Sequence, residues 1–214
     1  MSANSDLNPI NPSEIAGIIL AAGASLRFGS PKQMARWRNT TLLQRAMDVS
    51  SASRLHRIIL VLGYRADIIR RHIGSHLDSH RIQWVLNPRY QKGQSESVKS
   101  GLQCVHERYD AVMFLMADQP LVNTRMIDRL IKTFSRSEKE ICVPTYKGRR
   151  GTPVIIGSRF YPELFQITGD KGAREIIKGN SDHVISLEME DPACLADVDT
   201  ITDLSDLADK TTHS

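Results

Sequence analysis

The chain has 214 residues, 41% of them hydrophobic and 24% charged, a balance that excludes a disordered, collagenous or fibrous protein and suffices for one sizeable core. Its 28 basic and 24 acidic side chains leave a net charge of +4, and Lys and Arg run from Arg27 to Lys210 without a block, which argues against a nucleic-acid partner. The longest apolar run, Ile15 to Ala24, reaches about half the length of a membrane-spanning helix, and no Lys or Arg precedes Arg27 to open a secretory signal, so a cytoplasmic chain with no membrane partner is expected.

In chain order, residues 1–13 are rich in Ser, Asn, Asp and Pro and read as a frayed or disordered start. One domain is expected over residues 14–208, with a polar tail at 209–214. Apolar runs rich in Ile and Val alternate with segments of helical period, the pattern of an α/β layer fold with a mainly parallel sheet. The runs predict strands at 15–21, 57–62, 82–86, 111–116, 140–144, 153–156 and 184–188. Spacings of three and four predict helices at 41–53, 66–74, 96–107 and 123–135, shorter ones at 161–166 and 172–178, and a last one at 201–208. Cys104, Cys142 and Cys194 have neither zinc spacing nor an even number for disulfides, and are read as buried thiols. His72 and His76 share a helical spacing and read as a solvated helix end.

The first strand runs into Ala22-Gly23-Ala24-Ser25-Leu26-Arg27-Phe28-Gly29-Ser30-Pro31-Lys32. Small residues let backbone N–H groups approach phosphate oxygens, and Arg27 and Lys32, five apart, supply positive charge, so the loop suits a triphosphate. It has neither the Walker ending nor the dinucleotide fingerprint. An ordinary strand-to-helix loop with two solvated cations fits the spacing equally well.

Asp118 follows the buried-strand pattern of Val112 to Met116, and Pro120 then turns the chain. A carboxylate at a strand's carboxyl end suits Mg²⁺ bound to a nucleotide; a turn-forming Asp is the alternative. Asp197 and Asp199 precede the last helix, one as a candidate second metal ligand and the other as a cap or structural partner. Asn87 and Ser95 have the ordinary roles of a turn around Pro88 and a cap for the next helix. Gly169 to Arg174 read as a compact turn and helix start carrying Asp170 and Arg174, suited to an anionic group or else a surface capping box. Arg149 and Arg150 fit either an anionic ligand or solvent.

Leu20-Ala21-Ala22-Gly23 with Ser25, Arg27, Phe28, Gly29 and Lys32 resembles the signature of nucleotidyltransferases with a glycosyltransferase-A-like fold. The closest match is to the MobA-like NTP transferases, and within them to the molybdenum cofactor cytidylyltransferases. Asn87, Gly93, Ser95 and Ser97, then Asp118-Gln119-Pro120, Arg150-Gly151-Thr152-Pro153, Gly169-Asp170-Lys171-Gly172-Ala173-Arg174 and Asp197-Val198-Asp199-Thr200 follow in the family's order. The resemblance implies a three-layer, Rossmann-like α/β/α enzyme that moves CMP from CTP to molybdopterin monophosphate and releases pyrophosphate, using Mg²⁺ or Mn²⁺. It implies catalytic roles for Arg27, Lys32 and Asp118, and a nucleotide site of Leu20, Ala21, Ala22, Gly23, Arg27, Lys32, Asn87, Gly93 and Ser95. It further implies metal ligation by Asp118 and Asp197, the latter preferred to Asp199, and an acceptor site of Gly151, Thr152, Gly169, Asp170 and Arg174. Transient contact with a molybdenum hydroxylase is also implied.

Guanylyl-transferring relatives tend to carry Gly where this chain has Ala22, whose methyl takes room that a purine needs and a pyrimidine leaves empty. That favours CTP without separating it from UTP or dTTP. Thr152 stands where the family more often has His, which leaves the acceptor open: a sugar or polyol phosphate is one alternative. A non-catalytic molybdenum cofactor carrier is another. No catalytic His is expected, because a phosphate monoester is already largely dianionic at neutral pH.

Overall fold

The computed structural model describes residues 15–24, 28, 31–74 and 80–210. The expected frayed start, residues 1–13, lies outside them, as do Arg27 and His76. In chain order the regular elements are β1 (Ile15–Ala21), β2 (Arg36–Trp37), β3 (Thr40–Thr41), α1 (Leu42–Ser51), β4 (Arg57–Leu62), α2 (Ala66–Ile73), β5 (Ile82–Leu86), α3 (Gln94–Gln103), β6 (Ala111–Met116) and α4 (Thr124–Ser135). They continue with β7 (Ile141–Tyr146), β8 (Arg149–Arg150), β9 (Val154–Gly157), α5 (Tyr161–Gln166), α6 (Arg174–Gly179), β10 (Val184–Glu188) and α7 (Ile201–Lys210).

The main sheet has the order β10-β7-β9-β6-β1-β4-β5, with β8 paired to β7, and β2 and β3 form a separate two-stranded ribbon. Pairings β6/β1, β1/β4, β4/β5 and β10/β7 are parallel, whereas β9 runs antiparallel to both β6 and β7. Central β1 is buried along its whole length, as a strand covered on both faces should be. Its alternation sorts the core: Ile15, Ile19 and Ala21 join Leu43, Met47, Ile127 and Leu130 on one face. Ala16, Ile18 and Leu20 join Val98, Leu102, Leu164 and Ile176 on the other. Helices α1, α2 and α4 therefore cover one side and α3, α5 and α6 the other, the three-layer Rossmann-like arrangement.

Several boundaries differ from the expectation. Helix α3 starts at Gln94, and beyond Gln103 its bonds tighten to Cys104 N→Gly101 O and Val105 N→Leu102 O, so the expected stretch to 107 is a turn. Gly93 caps it with no side-chain bond, so Ser95 is not its cap. Helix α6 starts at Arg174 rather than 172, and α7 continues to Lys210, into the expected tail. Cys142 and Cys194 are buried, but Cys104 is only half-buried, a correction that follows from its place at the frayed end of α3.

Candidate active site

Parallel strands bring their carboxyl ends to one edge. There the chain after β1 (Ala22, Gly23) meets the chain after β6 (Ala117, Asp118), with Ala117 N donating to Leu20 O at 3.3 Å. A cleft of about 560 Å³ opens at this edge, lined by Ala22, Gly23, Lys32, Gly93, Asp118 and Asp170 among others.

Lys32 sits on a short 3-10 turn, Lys32–Met34. Its Nζ donates to Asp118 Oδ2 at 2.8 Å and to Asp199 Oδ1 at 3.1 Å. The Lys32 and Asp118 side chains are 14% and 20% exposed, so their pairing is little screened. Burial works against the ammonium, but Asp118 and then Asp199 outweigh it and hold its pKa above the usual lysine range.

The carboxylates arrive together because Val198, fully buried with Trp37 and Leu42, is clamped between them and donates its N–H to Asp118 O at 2.9 Å. In an extended segment its neighbours Asp197 and Asp199 take the opposite side. Asp197 is exposed as a residue, yet loss of water around its carboxyl, followed by the Asp118 and Asp199 charges, raises its pKa. Asp199 and Thr200 donate N–H to Asp203 Oδ2, and Thr200 Oγ1 accepts from Asp203 N, so this reciprocal cap of α7 holds the acidic segment. Neither Asp197 nor Asp199 supplies the cap's side-chain bond.

Among the described residues, Asp118 and Asp199 thus share one ammonium with the Asp197 carboxyl close enough to feel their charges, and Asp118 Oδ1 is buried without a hydrogen-bond partner. That surplus of negative charge fits a divalent cation. No group of three or more His, Cys, Asp or Glu among the described residues forms a metal cage by itself. This matches Mg²⁺ or Mn²⁺, which take one or two carboxylates and complete their shell with phosphate oxygens and water.

Other expected residues fall into distinct places. Leu20, Ala22, Gly23, Lys32, Gly93, Asp118 and Asp170 all line the cleft. Ala21 lies behind it. Asn87 and Ser95 are buried: Asn87 Oδ1 accepts from Arg89 N at 2.9 Å, the expected turn, and its Nδ2 donates to Ser97 Oγ at 3.0 Å. Gly93 has φ of +107°, and a Cβ there would overlap the Gly169 carbonyl; Ser95 N donates to Gly169 O at 3.0 Å. Gly169 and Asp170 therefore pack against the loop of Gly93 and Ser95. Gly151 and Thr152 lie elsewhere, Thr152 donating its N–H to Cys194 O and its Oγ1 to Gln119 Oε1 at 2.6 Å, next to Asp118. Arg174 is exposed at the start of α6, and Arg149 and Arg150 are exposed on β8.

Sequence reasoning missed Gln33. This buried side chain donates Nε2 to Ala21 O at 2.8 Å and Gly23 O at 3.0 Å, bracing the small-residue loop from below. Its only signal is a polar residue directly after Lys32. Tyr90, Gln94 and Met116, also in the cleft wall, were missed too.

The MobA-like NTP transferase domain profile matches residues 17–184. The chain belongs to the MobA-like NTP transferase family. Like the molybdenum cofactor cytidylyltransferase of Escherichia coli (strain K12), to which it is 28% identical over 89% of this chain and 94% of that one, this MobA-like chain is a nucleotidyltransferase. It is 27% identical to the nicotine blue oxidoreductase of Paenarthrobacter nicotinovorans, over 87% of this chain and 93% of that one. The structure of Rv0371c from Mycobacterium tuberculosis H37Rv in complex with manganese superposes with a TM-score of 0.74 at 28% identity, covering 92% of this chain and 98% of that one. No described helix of this MobA-like enzyme is long and apolar enough to cross a membrane.

Proposed function

We propose that the enzyme transfers CMP from CTP to the phosphate of a molybdopterin-type acceptor, forming a cytosine dinucleotide and pyrophosphate. The observation that carries the choice of base is Ala22, a residue 3% exposed that lines the cleft wall and packs close against Gly63, where a larger base would find less room than beside a glycine. In this reading the base lies against Leu20, Ala22 and Gly23, with Ala21, expected beside it from the sequence, buried behind them. Gly93 closes the pocket, while Asn87 and Ser95 support it from behind.

Lys32, with Arg27, holds the triphosphate and neutralises charge on the departing pyrophosphate. Asp118 is the first ligand for Mg²⁺ or Mn²⁺, which when bound supplies a Lewis acid at the α-phosphate and compensates the leaving group. Asp197 was preferred from the sequence as the second ligand. Convergence of Asp118 and Asp199 oxygens on one ammonium supports Asp199 for that position. Gly151, Thr152, Gly169, Asp170 and Arg174 are assigned to the acceptor, whose dianionic phosphate attacks without a general base. The product would pass to a molybdenum hydroxylase in the cytoplasm by transient contact.

Pyrophosphate release with each of the four NTPs, against molybdopterin, sugar phosphate and polyol phosphate acceptors, tests the reading. Highest kcat/KM is expected for CTP with the molybdopterin acceptor. Preference for GTP overturns the cytidylyl assignment, and preference for a sugar or polyol phosphate overturns the acceptor.

A further inference from the structure

The point where Asp118 Oδ2 and Asp199 Oδ1 converge is filled by the chain's own cation, Lys32 Nζ, at 2.8 and 3.1 Å. A divalent ion held by Asp118 needs the same oxygens. An ammonium and a metal ion crowd one another there, since both seek direct contact with the same oxygens and the two cations repel. A metal ion on the buried, unpartnered Oδ1 of Asp118 would still share one carboxylate with the ammonium on Oδ2, where the two charges repel. The lysine does have somewhere to go. Its stem is flexible, its three donors suit phosphate oxygens, and it lines the same cleft as Ala22 and Gly23.

We propose that Lys32 is a built-in competitor for the metal position, which makes metal and nucleotide binding mutually dependent. Metal alone must expel the ammonium from two carboxylates and binds weakly. A triphosphate gives the ammonium new oxygens, frees Asp118, and so strengthens metal binding; by linkage the metal strengthens nucleotide binding by the same factor. The enzyme thereby takes up metal and nucleotide as a unit and leaves its carboxylates internally neutralised between turnovers. This rests on the reading of Asp118 as a metal ligand, and it assigns Lys32 a role before any chemistry occurs.

The test is Mn²⁺ binding by the full chain, read as loss of the free Mn²⁺ electron paramagnetic resonance signal, with no acceptor present. Lys32→Met should bind Mn²⁺ at least tenfold more tightly than wild type without nucleotide, and CTP should enhance Mn²⁺ binding less in the variant than in wild type. Lys32→Gln, which keeps a polar group beside Asp118, should behave alike and covers the case in which Lys32→Met does not fold. Direct competition persists in 0.5 M KCl, where the screening length falls to roughly 4 Å; a gain confined to low salt reflects only the lost charge and overturns the proposal. Unchanged or weaker Mn²⁺ binding in both variants overturns it too. Adding Asp118→Asn to Lys32→Met separates the two readings. Loss of Mn²⁺ binding is expected, whereas indifference to Asp118→Asn means that the metal binds elsewhere and overturns the site reading together with the proposal.

Discussion

The residues assigned to the two substrates are held in different ways. On the nucleotide side, buried polar groups brace one another: Gln33 ties the carbonyls of Ala21 and Gly23, Lys32 bridges Asp118 and Asp199, and Asn87 reaches Ser97. The segments assigned to the acceptor are split, with Gly151 and Thr152 beside Gln119 and Cys194, and Gly169 and Asp170 against Gly93 and Ser95. Arg174 stands exposed. A shared substrate half demands fixed positions for charge, whereas an acceptor half supplied by separate loops is free to change without loss of the common chemistry.

If that contrast is correct, substitutions on the braced side act on turnover and those on the split side act on acceptor affinity. The largest effect is expected from Asp118→Ala, which should lower kcat by ~10³-fold or more with the circular dichroism spectrum unchanged. Full turnover by the folded variant, or by wild type in excess chelator, would remove Asp118 and the metal from the mechanism.

Lys32→Ala and Arg27→Ala come next, with kcat reduced by ~10²- to 10³-fold and acceptor KM little changed. Lys32→Ala should also lower the melting temperature, because it leaves Asp118 unpaired. With Asp118 still 20% exposed, the loss should stay below the ~3–5 kcal/mol of a fully buried pair. A change in acceptor KM alone, in either variant, would move the residue to the other half of the cleft.

Ala22→Gly should narrow the CTP-to-GTP preference without reversing it. Space alone is worth ~1–3 kcal/mol, or ~10- to 200-fold, and supplies no partner for the donors of guanine. Competition between the two nucleotides measures this, and an unchanged kcat/KM ratio would show that the loop does not touch the base. The smallest effect is expected for Arg174→Ala, a rise of ~2- to 5-fold in acceptor KM at constant kcat, in keeping with one exposed charge. A fall in kcat instead would mean that α6 belongs to the braced half.

Much of this was legible in the sequence, for identifiable reasons. Strands β1, β4, β5, β6 and β10 carry their expected bounds: β1, β4 and β6 are buried, bounded apolar runs, and the half-buried edge strands β5 and β10 still carry Ile, Val and Leu between polar turns. Asp118 was found from the end of such a run. The β2/β3 ribbon and β8 have two residues per strand, too few to show a period. The reversed direction of β9 was also illegible, since a strand reads alike in either sense. Nor does any local pattern announce that Lys32 and Asp118 meet across 86 residues; the resemblance pointed to both, and sheet order β6-β1 brings them together. Gln33 was invisible because its function is to hold backbone carbonyls, a task that leaves no spacing behind.

The reversed β9 has a consequence for how the enzyme can be altered. Because it runs against β6, its beginning, not its end, lies at the ligand edge, and the chain reaches that beginning through the short hairpin of β7 and β8. The hairpin tip at Gly148 has nothing within 4 Å of an added Cβ, and Arg149 and Arg150 on β8 are exposed. Extra residues inserted at Gly148 would project from the ligand edge of the sheet while the pairing of Val112 with Ile156 and of Cys142 with Ile155 kept the sheet in register. The hairpin is thus a natural graft point, where a longer loop can be inserted with the paired core of the sheet left intact.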